Sequence, residues 1–442
     1  MPISHEHAKT FSRFALAAPR VCLPSPGVDL NRWAVLACDQ HTSEPEYWRD
    51  VARYVGSDPS TLHLILPEVH LEAPDVNDRI ERAQATMRQY IEEGILVEYD
   101  PMFTLVRRHL SDGTRRDGLL AAVDLEQYDY RPESRAPVRA TEKTIESRIP
   151  ARTRIRRGAA VEVPHILVLV DDPEDLLLGP LVRDHERMKR LYSTPLMYHG
   201  GHVEGYRVDD DAHIETMLEA LETLACPGRM RERYGTDDIF LFPVGDGNHS
   251  LAAAKHYWEE RKDAGAHPDD PARFAMVELV NLHRDGLPFH PIHRAVSGVT
   301  ETRLHESLSA AGFSLRGEAS AAADNGSADR PISNHVGTRA DITVHSTSGR
   351  REYLQADRSS LSVALVDDVL QNIEGAQVDY IHGAEAIERT VERGGLAVEL
   401  PPLDRDSLLP TVVRYGTLPR KAFSLGRPMD KRYYLEARRL ER

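Results

Sequence analysis

The stretch IFLFPVGDGNHSLAAAK, Ile239 to Lys255, decides how this chain is read. Its apolar run Ile239 to Val244 has the length of a buried strand and stops at Gly245. A tight Asp-Gly turn follows, and the alanine-rich segment Leu251 to Gly265 has the composition of a helix. Gly245 and Gly247 permit backbone conformations closed to other residues and let a ligand approach the main chain. The first-turn amides of such a helix point into that space, and the helix dipole favours an anion there. Strand, glycine turn and helix start therefore form a candidate phosphate cradle at residues 245–250. The GxxxxGK[ST] pattern of a P-loop is absent. The competing reading is a plain strand-to-helix turn capped by Asn248 or Ser250.

Working outward, WAVLACDQ (Trp33 to Gln40) and LHLILPEV (Leu62 to Val69) read as strands. Asp75 to Glu93 carries apolar residues at helical spacing and stops at Gly94. MFTLVRRHL, the turn Ser111 to Gly113 and DGLLAAVDL predict a β-hairpin. HILVLVDD (His165 to Asp172) predicts a buried strand and Val208 to Leu224 a helix. FAMVELVNL (Phe274 to Leu282) with the Arg284-Asp285-Gly286 turn predicts a second hairpin. Towards the C-terminus, ITVH and REYLQA read as paired strands, AEAIERTVERGG as a helix, LAVELPPL as a strand and SLLPTVVRYG as a helix. Hairpins mixed with helices predict an α+β fold with mixed sheets and packed helices. The expected division is a main α/β domain over 1–300 and a C-terminal α+β portion over 301–442. The small, polar, aperiodic GEASAAADNGSADR predicts a flexible insertion at about 317–330.

The chain has 442 residues, enough to bury a large core without staples. With 55 Lys+Arg against 70 Asp+Glu, the formal charge is −15, which argues against broad binding to nucleic acid or anionic membranes. Three scattered cysteines, Cys22, Cys38 and Cys226, suggest neither a disulfide framework nor a cysteine–zinc site. There is no apolar signal core, and no run approaches the roughly 18 apolar residues of a spanning helix. These features predict a cytoplasmic protein whose partners are small molecules; oligomeric state is not read from them.

In this acidic chain, Thr141 to Gly158 concentrates Lys143, Arg148, Arg152, Arg154, Arg156 and Arg157. Arginine forks suit phosphates and carboxylates. Interleaved Glu142 and Glu146 also allow a solvated, salt-bridged surface. Asp39, at the end of an apolar run, and Glu142 are candidate general bases or metal ligands, against a capping role for Asp39. Asp246 is placed for a divalent cation or a substrate hydroxyl, and His249 for a phosphate or a proton transfer. Phosphoryl transfer to an alcohol needs a carboxylate near the acceptor and cations on the phosphates. His199-Gly-Gly-His202 and His290-Pro-Ile-His293 have the spacing of a metal pair, though such pairs arise readily among 21 histidines. The glycines of the first pair also suit hinges of a loop over a pocket.

The order of segments resembles a family catalogued as domain of unknown function 1015. Its strand, Asp-Gly-His-His-Arg and helix are matched by Asp246-Gly247-Asn248-His249-Ser250. Ala37-Cys38-Asp39 resembles its early Pro-Tyr-Asp, and Thr141-Glu142-Lys143 its His-Glu-x-Thr-based segment. His293-Arg294-Ala295-Val296 resembles its Asn-Arg-Val-Val, and Leu418-Pro419-Arg420-Lys421 its Met-Pro-Pro-Lys. That signature is similar to those of the ParB/sulfiredoxin-like superfamily, where an analogous turn holds nucleotide phosphates and which includes free serine kinases. The resemblance implies a ParB/sulfiredoxin-like core elaborated by additional α/β segments. It implies a nucleotide-dependent, magnesium-assisted kinase, with ATP or ADP as co-substrate and a small hydroxylated metabolite, serine first, as acceptor. Gly245, Gly247, Asn248, Ser250, Lys143, Arg148, Arg294 and Lys421 would then hold the nucleotide, Asp246 the Mg²⁺, and Asp39, Glu142, Asp246 and His249 the chemistry. The chain departs from the pattern at Ser250, which replaces an arginine able to grip phosphate bidentately. That departure keeps a non-catalytic nucleotide-binding regulator open, and the histidine pairs keep a metal-dependent hydrolase open.

Overall fold

A computed structural model describes residues 3–42, 44–320, 340–356 and 361–441. It has the mixed helices and sheets of an α+β fold. The chain divides into one unit of residues 1–287 and 426–442 and a second unit of residues 288–425. This boundary differs from the expected one near 300, because the last 17 residues return to the first unit. The insertion expected at about 317–330 falls largely outside the described residues, and its first positions extend the Phe313–Ser320 strand.

The first unit is built on a ten-stranded sheet. From one edge it runs through Arg190–Pro195, His202–Val208, Phe103–His109, Arg115–Asp124 and Phe274–Asn281. It continues through Leu167–Val170, Phe242–Asp246 and Val138–Ala140 to Tyr128–Asp129, with Leu16–Ala17 pairing off Arg115–Asp124. The hairpin expected around Ser111–Gly113 is present as the antiparallel Phe103–His109 and Arg115–Asp124 pair. Phe274–Asn281 pairs parallel with Leu167–Val170, and Phe242–Asp246 parallel with Val138–Ala140.

Alternation along Arg115–Asp124 explains the layering. Leu119, Ala121 and Val123 face a core that includes Leu181, Ile214, Leu251 and Trp258 from helices. Leu120 faces the opposite core, with Met87, Tyr90, Tyr434 and Ala437. Both faces are covered, so these strands read as continuous apolar runs. A smaller sheet covers the second face in the order Leu96–Glu98, Val21–Pro24, Ala437–Arg439, Val161–Glu162. The C-terminal segment is thus a sheet strand inside the first unit.

Three expectations fail. Trp33 to Gln40 is no strand: Trp33 ends the short Leu30–Trp33 helix, and the rest makes a single isolated bridge, Leu36 with Arg432. Leu62 to Val69 contains two 3₁₀ turns, Thr61–Leu64 and Glu68–His70, instead of a strand. Phe274–Asn281 forms no hairpin across Arg284–Gly286; the next strand, Phe289–Pro291, belongs to the second unit and pairs with Phe423–Leu425.

The second unit holds a six-stranded antiparallel sheet, ordered Phe313–Ser320, Arg350–Ala356, Ala340–His345, Leu396–Glu399, His293–Ser297, Gln377–Ile381. Helices Glu301–Ala310, Ser362–Gln371, Ala384–Glu392 and Arg405–Tyr415 belong to the same unit. Among the described residues no helix is long and apolar enough to cross a membrane.

Candidate functional site

The Phe242–Asp246 strand ends at the glycine turn, and the Asn248–Asp263 helix starts directly after it. Gly247 occupies the N-cap position at φ 85°, a left-handed conformation, and makes no side-chain cap. A Cβ there would also sit 3.0 Å from Ile166 Cγ1, so glycine is required twice over. Capping by Asn248 or Ser250, the bland reading of this turn, is not what the molecule does. Ser250 Oγ instead lies 3.2 Å from His165 Nε2. Asp246 Oδ1 accepts the Gly247 amide at 2.9 Å and so fixes the turn. Asn248 is buried, and its Oδ1 has no hydrogen-bond partner, an acceptor that a bound ligand's N–H or O–H would satisfy. Gly245, Asp246, Gly247, His249 and Ser250 keep part of their surface exposed.

The parallel register of Val138–Ala140 beside Phe242–Val244 brings the following segment to the turn. Thr141 Oγ1 donates to the Val244 carbonyl at 2.6 Å, and the Ile145 amide donates to His249 Nε2 at 3.1 Å. Nε2 is the acceptor in that bond, so His249 anchors the 141–145 segment. Glu142 lies on the anchored segment.

The residue that organises the site was not among the candidates. Lys431, in the returning C-terminal segment, places Nζ 2.9 Å from Asp246 Oδ2. Burial alone would lower its pKa. The charges of Asp246 and Asp39, the hydrogen bond to Asp246 and the charge of Glu142 outweigh burial and raise it. Lys431 thus pairs with Asp246 and lies within reach of the charges of Asp39 and Glu142, all three chosen from sequence.

Asp39 arrives by a backbone route. The Ala37 amide donates to the Lys431 carbonyl at 2.8 Å and the Tyr433 amide to the Val35 carbonyl at 3.0 Å, so residues 35–37 run against 431–433. Gln40 Nε2 donates to Asp39 Oδ1 at 3.0 Å. Next to it the Cys38 thiol is pushed up to about 12 by burial and by the charges of Asp39 and Glu68, so it is no thiolate nucleophile at neutral pH.

Cys38, His165 and Ser250 also line a cavity of about 140 Å³, with Leu64, Met87 and Tyr433 among its apolar walls. Ser250 brings its lining to the turn.

The basic run divides. Arg152 pairs with Glu68, Arg156 with Glu162 at 2.6 Å and Arg157 with Glu260 at 2.7 Å, which is the salt-bridged reading. Lys143 and Arg148 are exposed, beside the half-buried Glu142 and at the start of the Ile149–Arg156 helix.

Arg294 and Lys421 lie in the second unit. The Arg294 guanidinium is buried there, bound to both oxygens of Asp367 at 2.7 and 2.9 Å and to the Ile292 carbonyl at 2.7 Å, and it stacks on Tyr380. Its donors serve packing within that unit.

Neither histidine pair joins a group of three ligating side chains among the described residues. His202 Nε2 lies 2.8 Å from Ser193 Oγ, and His293 Nδ1 accepts the Leu400 amide at 3.1 Å. In His199-Gly-Gly-His202, a Cβ on Gly200 would meet the Arg432 guanidinium at 2.6 Å, so this glycine permits close approach.

The family model described as Protein of unknown function (DUF1015) matches residues 22–391. No curated protein matches the sequence. Among solved structures, a free serine kinase in complex with AMP aligns with TM-score 0.36 at 11% identity, covering 70% of this chain and 88% of that one. A conserved hypothetical protein from Pyrococcus furiosus aligns with TM-score 0.35 at 11% identity, covering 73% and 95%. SbnI with C-terminal truncation from Staphylococcus aureus aligns with TM-score 0.34 at 11% identity, covering 70% and 82%.

Proposed function

The chain belongs to the DUF1015 family, and from that premise we propose that it is a nucleotide-dependent phosphotransferase acting on the hydroxyl of a small metabolite. The carrying observation is the convergence of Asp39, Glu142 and Asp246 on Lys431, beside a helix start that carries no side-chain cap. Charge favours this reading over a purely structural cluster. Three carboxylates and one ammonium leave a formal −2, which a divalent cation would neutralise. These carboxylates form no close-set cage among the described residues. Mg²⁺ rarely uses such a cage; one or two carboxylates plus substrate phosphates hold it. Asp246, with Asp39 or Glu142, offers the hard oxygen donors it prefers. When bound, Mg²⁺ would neutralise charge on the phosphates of ATP or ADP.

The chain's own groups account for the rest. First-turn amides over residues 248–250 would bind phosphate oxygens. Lys431 pairs with Asp246 and aims it. Lys143 and Arg148 supply the charge that Ser250 no longer brings. Asp39 or Glu142 would take the proton of the acceptor hydroxyl as its oxygen bonds to phosphorus and the bond to the leaving phosphate breaks. His249 holds the Glu142 segment and is a positioning residue. A free amino acid such as serine is the first acceptor to try.

A thermal-shift screen with nucleotides, Mg²⁺ and amino acids comes first, because a ligand of the native state raises the unfolding temperature. Asp246→Asn should then abolish nucleotide-dependent turnover while leaving the fold intact by circular dichroism. Full turnover in a folded Asp246→Asn protein would remove the proposal. A second reading, a nucleotide-binding regulator without transfer, is favoured by Ser250, whose hydroxyl is engaged by His165. It predicts the same thermal shift with no phosphorylated product for any acceptor.

A further inference from the structure

Within the second unit, three potential ligands meet away from the glycine turn. Glu301 and His305 are four residues apart on the Glu301–Ala310 helix, so both lie on one face with the buried Leu304 and Leu308. Glu352 comes from the Arg350–Ala356 strand, at a core-facing position that alternates with Leu354 and Ala356. An acidic residue on the buried face of a strand calls for a specific reason. One ligating atom from each of the three lies within 4.8 Å of the others, the only such group among the described residues.

Two further observations point to a ligand. Glu352 is 5% exposed, and its Oε2 lies 2.5 Å from His305 Nε2. That contact is an ion pair in which neither buried atom makes an aligned hydrogen bond, which places both potential ligands on one small space. Secondly, Arg350 Nη2 lies 3.1 Å from Glu301 Oε1 and 3.3 Å from Glu352 Oε1. It thus clamps the two carboxylates together by their other contact oxygens and leaves Glu352 Oε2 to His305. An outer group that orients ligating carboxylates in this way is the usual support of a metal centre. The side chains of Glu301 and His305 are 27% and 25% exposed, which leaves an entry path and room for water as a further ligand.

We propose that Glu301, His305 and Glu352 bind a divalent transition-metal ion, with one imidazole and two carboxylates as ligands. Imidazole with carboxylates suits Zn²⁺, Mn²⁺ or Fe²⁺, whereas Mg²⁺ prefers oxygen alone. The site is independent of the proposed phosphotransfer chemistry.

The test titrates the metal-stripped full chain with ZnCl₂ by calorimetry and repeats the titration on His305→Gln, Glu352→Gln and Arg350→Met. The expected result is a saturable site that raises the unfolding temperature and survives excess Mg²⁺. One equivalent should be lost in His305→Gln and Glu352→Gln, and affinity should fall by about tenfold or more in Arg350→Met. Circular dichroism identifies any variant that misfolds; His305→Gln, at the more exposed position, keeps the comparison available if Glu352→Gln unfolds. Absence of zinc binding by the unmodified chain would overturn the proposal. So would unchanged stoichiometry and affinity in folded His305→Gln, since zinc would then be held elsewhere.

Discussion

Lys431 shows how three side chains can set the state of one. Its ammonium is held charged against burial by Asp246 and Asp39, with Glu142 adding to them. The folded-state pKa is raised, so its contribution to stability is complete below the unfolded value and is lost as alkaline pH passes through the folded one. Removing the ammonium leaves Asp246 without the partner that holds it at 2.9 Å. Lys431→Met should therefore lower phosphotransfer by about 10²-fold or more while leaving the fold intact by circular dichroism. Unchanged turnover in a folded Lys431→Met protein would contradict this. Glu436 is a group in which burial wins instead. Burial pushes its carboxyl up to about 7, against the hydrogen bond from Tyr192 and the charge of Arg108, and its Oε2 is buried without a partner. Below the unfolded value of 4.5 both states are protonated. Between there and about 7 the unfolded chain releases its proton while the native chain holds it, so stability falls as pH rises through that window. Glu436→Gln keeps an acceptor for Tyr192 and removes the titration. Its unfolding temperature should exceed that of the parent at pH 7.5 by several degrees and match it more closely at pH 4.5.

At the scale of elements, periodicity was legible where a segment has one environment per face. The Val76–Glu92 helix, the hairpin around Gly113 and the Phe242–Asp246 strand with its following helix were all readable in this way. Trp33 to Ala37 was not, because a run of apolar residues signals burial and says nothing of geometry. Every residue of it is buried, yet its only bridge partner, Arg432, lies near the other end of the chain. The same distance hid Lys431: the glycine turn, Asp39 and Glu142 carry local signals, whereas a lysine in a basic tail carries none until the fold returns it. Arg294 shows the converse, since a motif match suggested phosphate and the fold gives it Asp367. Arg294→Ala would leave that carboxylate without its partner in a largely buried site. It should destabilise the second unit by about 3–5 kcal/mol in urea unfolding. Nucleotide affinity should not change; a large loss of affinity with unchanged stability would return Arg294 to the phosphate site.

For the whole molecule, the second unit is an interruption of the first, and the chain re-enters at Gly426. Within the first unit, Gly286 and Gly426, which flank the interruption in sequence, both lie next to the Arg115–Asp124 strand. Gly286, at φ 82°, packs so close to Arg115 that a Cβ would meet its carbonyl at 2.2 Å, and a Cβ on Gly426 would lie 4.0 Å from the Arg116 guanidinium. A short Gly/Ser linker in place of residues 288–425 should therefore leave the first unit folded, with Asp39, Glu142, Asp246 and Lys431 all present. Ending the chain at residue 425 should have the opposite effect. It deletes Lys431, removes Ala437–Arg439 from between Val21–Pro24 and Val161–Glu162, and takes Arg438 from the buried Glu162, 2.5 Å away. A buried carboxylate left with Arg156 alone, Val161–Glu162 without a strand partner and Val21–Pro24 with Leu96–Glu98 only should abolish cooperative unfolding. Circular dichroism melts of the two shortened chains, each with and without nucleotide and Mg²⁺, test both halves of the argument. The linker variant should melt cooperatively and shift with nucleotide, and the truncated chain should do neither. A cooperative, nucleotide-responsive melt in the truncated chain would mean that the returning segment does not build the site.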